Sequence, residues 1–147
     1  MNSDFKELLK TLSEFHVRFM IIGGYAYMHY VEPRYTKDLD LWISTDRANA
    51  EATFRALRQF GAPLTDVTPD DFADPNCIYH MGNPPVRVDV LMSIPGVQFE
   101  EAWPRRVEVV TEGLSVPFIA KLDLIAAKRA AGRPQDLVDA DLLEQAP

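Results

Sequence analysis

Cysteine is almost absent from this sequence, since Cys77 is the only one among 147 residues. A single cysteine excludes an intramolecular disulfide framework and any zinc site built from several thiolates. Basic residues are also scarce, with 15 against 22 acidic residues and a net charge of −7, which argues against a protein that coats nucleic acid. No apolar run reaches the ~20 residues of a membrane-spanning helix, and the first ten residues lack the pattern of a signal peptide. We therefore expect a cytoplasmic protein with no membrane partner.

The length and the residue pattern predict one domain of the α+β class. Hydrophobic residues make up 47% of the chain and charged residues 25%, which are ordinary globular values, and this length supports one hydrophobic core. Apolar spacing and capping residues predict a helix capped by Ser3 or Asp4, a helix over 25–30, and a helix that runs from a cap at Ser44 or Thr45 to residue 60. They also predict helices over 99–103, over 119–131 and in the segment after Pro134. Alternating or continuous apolar runs predict strands over 18–22, 38–43, 77–81, 86–94, 107–110 and 114–116. Hairpins among these strands distinguish α+β from an alternating α/β pattern.

Two aspartates, Asp38 and Asp40, alternate with apolar residues in the predicted strand 38–43. Residues i and i+2 of a strand point to the same face, with Cα atoms ~6.6 Å apart. Two carboxylates on one face repel each other unless a cation lies between them, and carboxylate oxygens are ligands that Mg²⁺ accepts. The solvent-exposed face of an edge strand explains the same pattern without a cation.

A third aspartate, Asp89, interrupts the apolar segment 86–94. A buried carboxylate without a partner is unfavourable, so Asp89 requires one. Arg87 lies on the same strand face and is one candidate; a metal shared with Asp38 and Asp40 is the other. Histidines give no comparable signal, because His16, His29 and His80 are too scattered along the chain to predict a metal site.

Four segments of the sequence resemble the motifs of a known superfamily. They are Gly23-Gly24-Tyr25-Ala26, Arg34-Tyr35-Thr36-Lys37-Asp38-Leu39-Asp40-Leu41, Arg87-Val88-Asp89-Val90-Leu91, and the tail segment 124–139 with Lys128, Arg133, Asp136 and Asp139. Together they resemble the nucleotidyltransferase superfamily with the DNA polymerase beta-like core, and more narrowly the small bacterial proteins related to the toxins of type IV toxin–antitoxin systems. The resemblance implies a small mixed β-sheet flanked by helices, in a single domain 1–147 with a core at about 1–117 and a short helical tail at about 118–147.

The resemblance also implies which residues form the site. Asp38, Asp40 and Asp89 correspond to the catalytic carboxylates that bind Mg²⁺ or Mn²⁺. Gly23 and Gly24 correspond to the glycine pair that holds the triphosphate, and glycines after a strand do allow a phosphate to approach the backbone.

Three further residues are candidates for nucleotide binding. Lys128 matches the tail lysine of the family and is also explained as a solvated helix lysine. Lys37 is placed to neutralise phosphate charge, and Thr36 either contacts phosphate or stabilises a turn. The chain departs from the family pattern at Gly24, where serine is common, and at Gln135, where lysine is usual.

The resulting hypothesis is a metal-dependent nucleotidyltransferase that moves a nucleoside monophosphate from a nucleoside triphosphate to an RNA acceptor (tRNA-like) or a protein acceptor. A cognate antitoxin or toxin protein is a further expected partner. The alternative is a catalytically inactive nucleotide-binding partner that acts as a regulator or antitoxin. A phosphohydrolase with an Asp-x-Asp motif is disfavoured, because the polar segment 33–37 precedes Asp38 where that class has an apolar strand.

Overall fold

The computed structural model describes residues 2–83 and 86–147. Within them the α-helices are α1 (Ser3–Glu14), α2 (Gly23–Tyr30), α3 (Arg47–Phe60), α4 (Phe99–Ala102), α5 (Lys121–Ala131) and α6 (Pro134–Gln145), with 3₁₀ turns at Pro69–Ala73 and Trp103–Arg105. The strands are β1 (Phe19–Ile22), β2 (Asp38–Ile43), β3 (Ile78–Asn83), β4 (Val86–Leu91), β5 (Val107–Thr111) and β6 (Leu114–Phe118). The predicted α+β class is confirmed. The predicted turn of the β3–β4 hairpin includes Pro84 and Pro85, which lie outside the described residues.

In the described part of the chain, the strands form one six-stranded mixed sheet in the order β3-β4-β2-β1-β6-β5. The central strand β2 pairs antiparallel with β1 and parallel with β4. Strand β1 pairs in parallel with β6, and each end of the sheet is an antiparallel hairpin. The order places β2 and β4 side by side although the whole of α3 separates them in sequence.

Helices α1 and α3 cover one face of this sheet. Phe5, Leu8, Leu9 and Leu12 recur at helical spacing in α1 and are all buried in the core. Asn49 in α3 is buried and ties the helix to the sheet, because its amide donates to the carbonyls of Arg18 and Ser44. This face of the sheet is therefore closed by packing and by backbone hydrogen bonds.

The starts of two helices differ from the sequence prediction. Helix α1 is capped by Asn2, whose side chain accepts a hydrogen bond from the Asp4 amide at 2.7 Å. Helix α3 is capped by Asp46, because Ser44 is instead buried and contacts Glu100 through its hydroxyl. The predictions of Ser3 or Asp4 and of Ser44 or Thr45 as caps are wrong, since several adjacent polar residues suit an N-cap and tertiary contacts choose among them.

Helices α5 and α6 pack together toward the opposite face, and the tyrosines of α2 pack into the interior. Tyr27 is buried, and the Tyr30 hydroxyl donates to the Ile119 carbonyl at 2.7 Å. Tyr25 meets Phe5 edge to face, so these tyrosines belong to the core. Strand β4 ends at Leu91, three residues before the predicted end. Within the described residues, every helix is too short or too polar to cross a membrane.

Candidate active site

The strand pairing brings the three predicted carboxylates onto neighbouring strands. Asp38 and Asp40 lie two residues apart on β2, with the buried Leu39 between them pointing to the other face. In the parallel pairing of β2 with β4, Asp40 stands opposite Asp89 and Asp38 stands opposite Arg87. The three aspartates therefore lie on adjacent strands of the sheet.

The predicted glycine pair begins α2 directly beside Asp40. Gly23 has a positive φ of 68° and so close an approach to β2 that a Cβ there would collide with the Asp40 carboxylate. A Cβ on Gly24 would lie 2.9 Å from the Thr36 hydroxyl oxygen, so a serine at this position requires Thr36 to move. Ile22, the residue before the helix, offers no capping side chain, which leaves amides of the first turn available to an anion.

Asp38 and Asp40 are poorly satisfied by the protein. The Oδ1 atom of Asp38 is buried and has no hydrogen-bond partner among the described residues. Burial, and then the negative charges of Asp89 and Asp38, raise the pKa of Asp40 to about 6. Arg87 opposes this rise only in part. The two carboxylates thus form a site of concentrated negative charge that a cation would neutralise.

Asp89 has protein partners on both sides. Its Oδ1 atom accepts a hydrogen bond from Arg87 Nε at 3.0 Å and lies 2.6 Å from His80 Nδ1 on the neighbouring strand β3. Burial acts to raise the pKa of Asp89, but the hydrogen bonds from His80 and Arg87 outweigh it and hold this pKa below its usual value. The ion pair between Arg87 and Asp89, one of the two alternatives open from the sequence, is present.

His80 is the residue that the sequence did not predict for this site. It stands opposite Asp89 in the antiparallel pairing of β3 with β4. The register of that hairpin brings His80 next to Asp89. Their separation by nine residues in the sequence does not by itself predict this contact. Alternation along 77–81 with the buried Tyr79 and Met81 was the available hint that His80 points to the opposite face.

A cavity of about 330 Å³ opens in front of these residues. Gly23, Asp40, His80 and Asp89 line one side of it. Helix α5 and the segment after β4 supply an apolar side through Ile94, Pro95, Leu124 and Ala131, and Lys128 adds a cation. Asp38 is not among the lining residues and lies behind Asp40 along β2.

The predicted nucleotide-binding residues differ in their surroundings. The Lys128 side chain is only 14% exposed, and its Nζ atom lies 3.1 Å from Asp139 Oδ2 and 3.8 Å from Asp136 Oδ1. Thr36 donates a hydrogen bond to the Asp38 carbonyl at 3.2 Å, which fixes the turn before β2. Lys37 is exposed in the same turn. The structure therefore brings Lys128 to the cavity but engages it with two aspartates of the tail.

Those tail aspartates form a closed charge network. Asp139 is buried and accepts hydrogen bonds from Arg34 at 2.8 Å, from Lys128 at 3.1 Å and from Gln135 at 2.8 Å. Burial acts to raise the pKa of Asp139, but these three donors hold it below its usual value. Arg34 also stacks on the Tyr27 ring, with its guanidinium carbon 3.5 Å from the ring centroid. The network connects the turn before β2 to helices α5 and α6.

The residues present fit a divalent cation only as a partial ligand set. In residues 2–83 and 86–147, no three side chains of His, Cys, Asp or Glu are arranged to enclose a metal ion by themselves. Mg²⁺ usually takes one or two protein carboxylates and completes its shell with water and substrate phosphates. The buried Asp38 oxygen without a partner and the mutual repulsion at Asp40 match that kind of site.

Comparison with protein families gives an independent result. A family model described as "Nucleotidyl transferase of unknown function (DUF2204)" matches residues 1–145, which include every motif described above. No curated protein matches the chain significantly. The resemblance to the nucleotidyltransferase superfamily, drawn from the sequence motifs, is confirmed.

Proposed function

The chain belongs to the family of nucleotidyl transferases of unknown function (DUF2204), and from this premise we propose a metal-dependent transfer of a nucleoside monophosphate to an RNA or protein acceptor. The observation that carries the proposal is the pair of acidic side chains on β2, beside the backbone of Gly23: Asp38 has a buried oxygen with no partner in the described part of the chain, and Asp40 has a raised pKa. Carboxylates with a purely structural role would accept hydrogen bonds from protein donors. We infer that this pair instead binds a cation.

Asp38 and Asp40 would hold the divalent cation, Mg²⁺ or Mn²⁺, and Asp89 would complete the site from β4. Such a cation neutralises phosphate charge and lowers the pKa of an acceptor hydroxyl when it is bound. The protein's own contribution is rigidity, because the carboxylates extend from the strands β2 and β4 in the centre of the sheet.

The nucleotide would occupy the cavity with its triphosphate at the start of α2. Amides of Gly23 and Gly24 lie where the first turn of the helix lacks a side-chain cap, and this end of a helix favours anions. Lys128 also lines the cavity and would contact phosphate only by exchanging its partners Asp136 and Asp139, while Lys37 and Thr36 lie in the turn before β2. The apolar side of the cavity suits the base and sugar better than the charged phosphates.

The reaction is an in-line displacement at the α-phosphorus. An acceptor hydroxyl oxygen forms the new bond to this phosphorus, the bond from it to the bridging oxygen breaks, and pyrophosphate leaves with that electron pair. The acceptor proton passes to solvent. The net charge of −7 disfavours a large RNA footprint, so a protein acceptor or a short RNA end is favoured over a long duplex. A cognate toxin or antitoxin protein stays a prediction.

The test is transfer of an α-³²P-labelled nucleoside monophosphate to separate RNA and protein fractions in the presence of Mg²⁺. We expect the wild type to label one fraction and to release pyrophosphate. Asp40→Asn and Asp38→Asn should lower the rate by about a hundredfold or more, because a bound cation contributes several kcal/mol to such reactions. The matched control is Leu41→Ala on the buried face of the same strand, which should lose ~2–5 kcal/mol of stability while its folded fraction stays active.

Two outcomes would contradict the proposal. Full activity in a folded Asp40→Asn variant would show that the carboxylate pair is structural. Binding of nucleoside triphosphates by the wild type without any transfer or pyrophosphate release would instead favour the inactive nucleotide-binding alternative.

A further inference from the structure

His80 occupies a position on the edge strand β3 from which it reaches the third carboxylate of the site. Its Nδ1 atom lies 2.6 Å from Asp89 Oδ1, and its side chain lines the same cavity as Asp40 and Gly23. The His80 side chain is 52% exposed, whereas that of Asp89 is 16% exposed. Because the His80 side chain is largely exposed to solvent, the contact with Asp89 is not required to satisfy a buried ring nitrogen of His80.

The contact has a defined direction. Asp89 Oδ1 also accepts a hydrogen bond from Arg87 Nε at 3.0 Å, and a carboxylate paired with a guanidinium accepts hydrogen bonds without donating any. The short separation therefore requires the proton on Nδ1 of His80. Arg87 Nη2 lies 3.1 Å from that nitrogen, while Arg87 reaches the same acceptor, Asp89 Oδ1, through Nε.

Both donors converge on one oxygen of Asp89. His80 Nδ1 and Arg87 Nε each contact Oδ1, at 2.6 and 3.0 Å, and neither engages Oδ2. A carboxylate fixed through one oxygen cannot rotate freely, so the second oxygen keeps a constant direction. Asp40 stands opposite Asp89 in the strand register, and both side chains line the same cavity.

We propose that His80 is a positioning residue that pins Oδ1 of Asp89, so that its other oxygen stays available to a divalent cation shared with Asp40. This inference rests on the proposed function, because it assumes that the carboxylates bind a metal. Partners that orient metal ligands through hydrogen bonds typically contribute 10–100-fold to metal affinity. A plain cross-strand pair would contribute only ~0.2–1 kcal/mol to folding and nothing to metal binding.

Two amide variants of His80 distinguish the positioning role from a plain cross-strand pair. His80→Asn places its amide nitrogen near the position of Nδ1 and keeps the hydrogen bond to Asp89. His80→Gln places its amide nitrogen farther out, near the position of Nε2, and loses that bond. Arg87 is unsuitable for this test, because its removal also deletes a positive charge 3.0 Å from Asp89.

The experiment is a titration of the full chain with Mn²⁺ alone, followed by electron paramagnetic resonance of the free ion, with a thermal melt of each variant. We expect His80→Gln and His80→Ala to weaken Mn²⁺ binding about 10–100-fold. His80→Asn should stay close to the wild type, and so should the control His16→Asn, because His16 is exposed and outside the cavity.

Equal Mn²⁺ affinity in the wild type and a folded His80→Gln variant would overturn the inference while leaving the metal site in place. The same weakening in His80→Asn and His80→Gln would also overturn it, because the hydrogen bond would then be irrelevant. Absence of Mn²⁺ binding by the wild type would overturn the inference together with the metal dependence of the proposed function.

Discussion

Two clusters in this protein each hold two carboxylates within a few residues of sequence. The strand cluster consists of Asp38 and Asp40, and the tail cluster consists of Asp136 and Asp139. In the tail cluster every carboxylate has cationic partners, with Arg133 at 2.6 Å from Asp136 and Lys128 at 3.1 Å from Asp139. In the strand cluster Asp38 keeps a buried oxygen without a partner in the described structure. The donors hold the pKa of Asp136 below its ordinary value, whereas burial and like charges raise that of Asp40 to about 6.

Under the proposed function, this difference separates a structural role of the tail cluster from a functional role of the strand cluster. A buried carboxylate that meets several donors is satisfied within the protein, and its removal leaves those donors unpaired. A carboxylate pair that repels itself is unfavourable for the fold and is retained where it serves a function. The number of acidic residues in a cluster therefore does not identify the site. The distinguishing feature is whether the carboxylates have hydrogen-bonding and cationic partners within the protein.

The largest expected effect on stability comes from the tail cluster. Asp139→Ala leaves Arg34 and the nearly buried Lys128 without their shared acceptor, so we expect the free energy of unfolding to fall by about 3–5 kcal/mol. Urea denaturation measures this change. The control Asp141→Ala removes an exposed partner of Arg129 and should cost no more than about 1 kcal/mol. Equal losses in both variants would erase the distinction between the clusters.

The tail cluster should make the protein less stable as the pH falls into the acidic range. The pKa of Asp139 is lowered in the folded state, so its contribution is present above the unfolded-state pKa of about 3.9 and is lost as the pH falls through the folded-state pKa. The difference in unfolding free energy between the wild type and Asp139→Asn should therefore shrink below about pH 4. A constant difference down to pH 2 would mean that Asp139 does not titrate with folding.

The smallest expected effect concerns Gln135, which stands where the resemblance to the superfamily predicts lysine. Its amide donates to Asp139 at 2.8 Å, so the residue belongs to the network without adding charge. Gln135→Ala should reduce the free energy of unfolding by about 1 kcal/mol, which is the typical net contribution of one intramolecular hydrogen bond to stability. Differential scanning calorimetry of the two proteins provides the measurement, and a loss as large as that of Asp139→Ala would contradict this account.

Local patterns in the sequence predicted most of the secondary structure. The helical spacing of Phe5, Leu8 and Leu12 and the alternation in 38–43 depend on neighbours in the chain, so they are readable without a fold. Helix caps were misassigned because Asn2 and Asp46 compete with equally suitable neighbours, and only tertiary contacts such as Ser44 with Glu100 decide between them. Local signals fix the type of an element better than its boundary.

The site required more than local patterns. The motif resemblance identified Asp38, Asp40 and Asp89, but the place of His80 follows from the register of β3 against β4. The pairing of Asp139 also depends on a nonlocal contact, because its partner Arg34 is 105 residues away in the sequence. Contacts of this kind depend on strand order and helix docking, which a single sequence does not specify.

The central claim is that Asp38 and Asp40 are left unsatisfied in order to hold a cation. Thermal melting of the wild type and Asp40→Asn, each with a chelator and with Mg²⁺, tests it most directly. We predict that the wild type gains stability with Mg²⁺, by about 2.7 kcal/mol at a hundred times its dissociation constant. Asp40→Asn should melt at or above the metal-free wild type, because the repulsion is relieved, and should not respond to Mg²⁺. A wild type that ignores Mg²⁺, or an Asp40→Asn variant that melts well below the metal-free wild type, would contradict the claim.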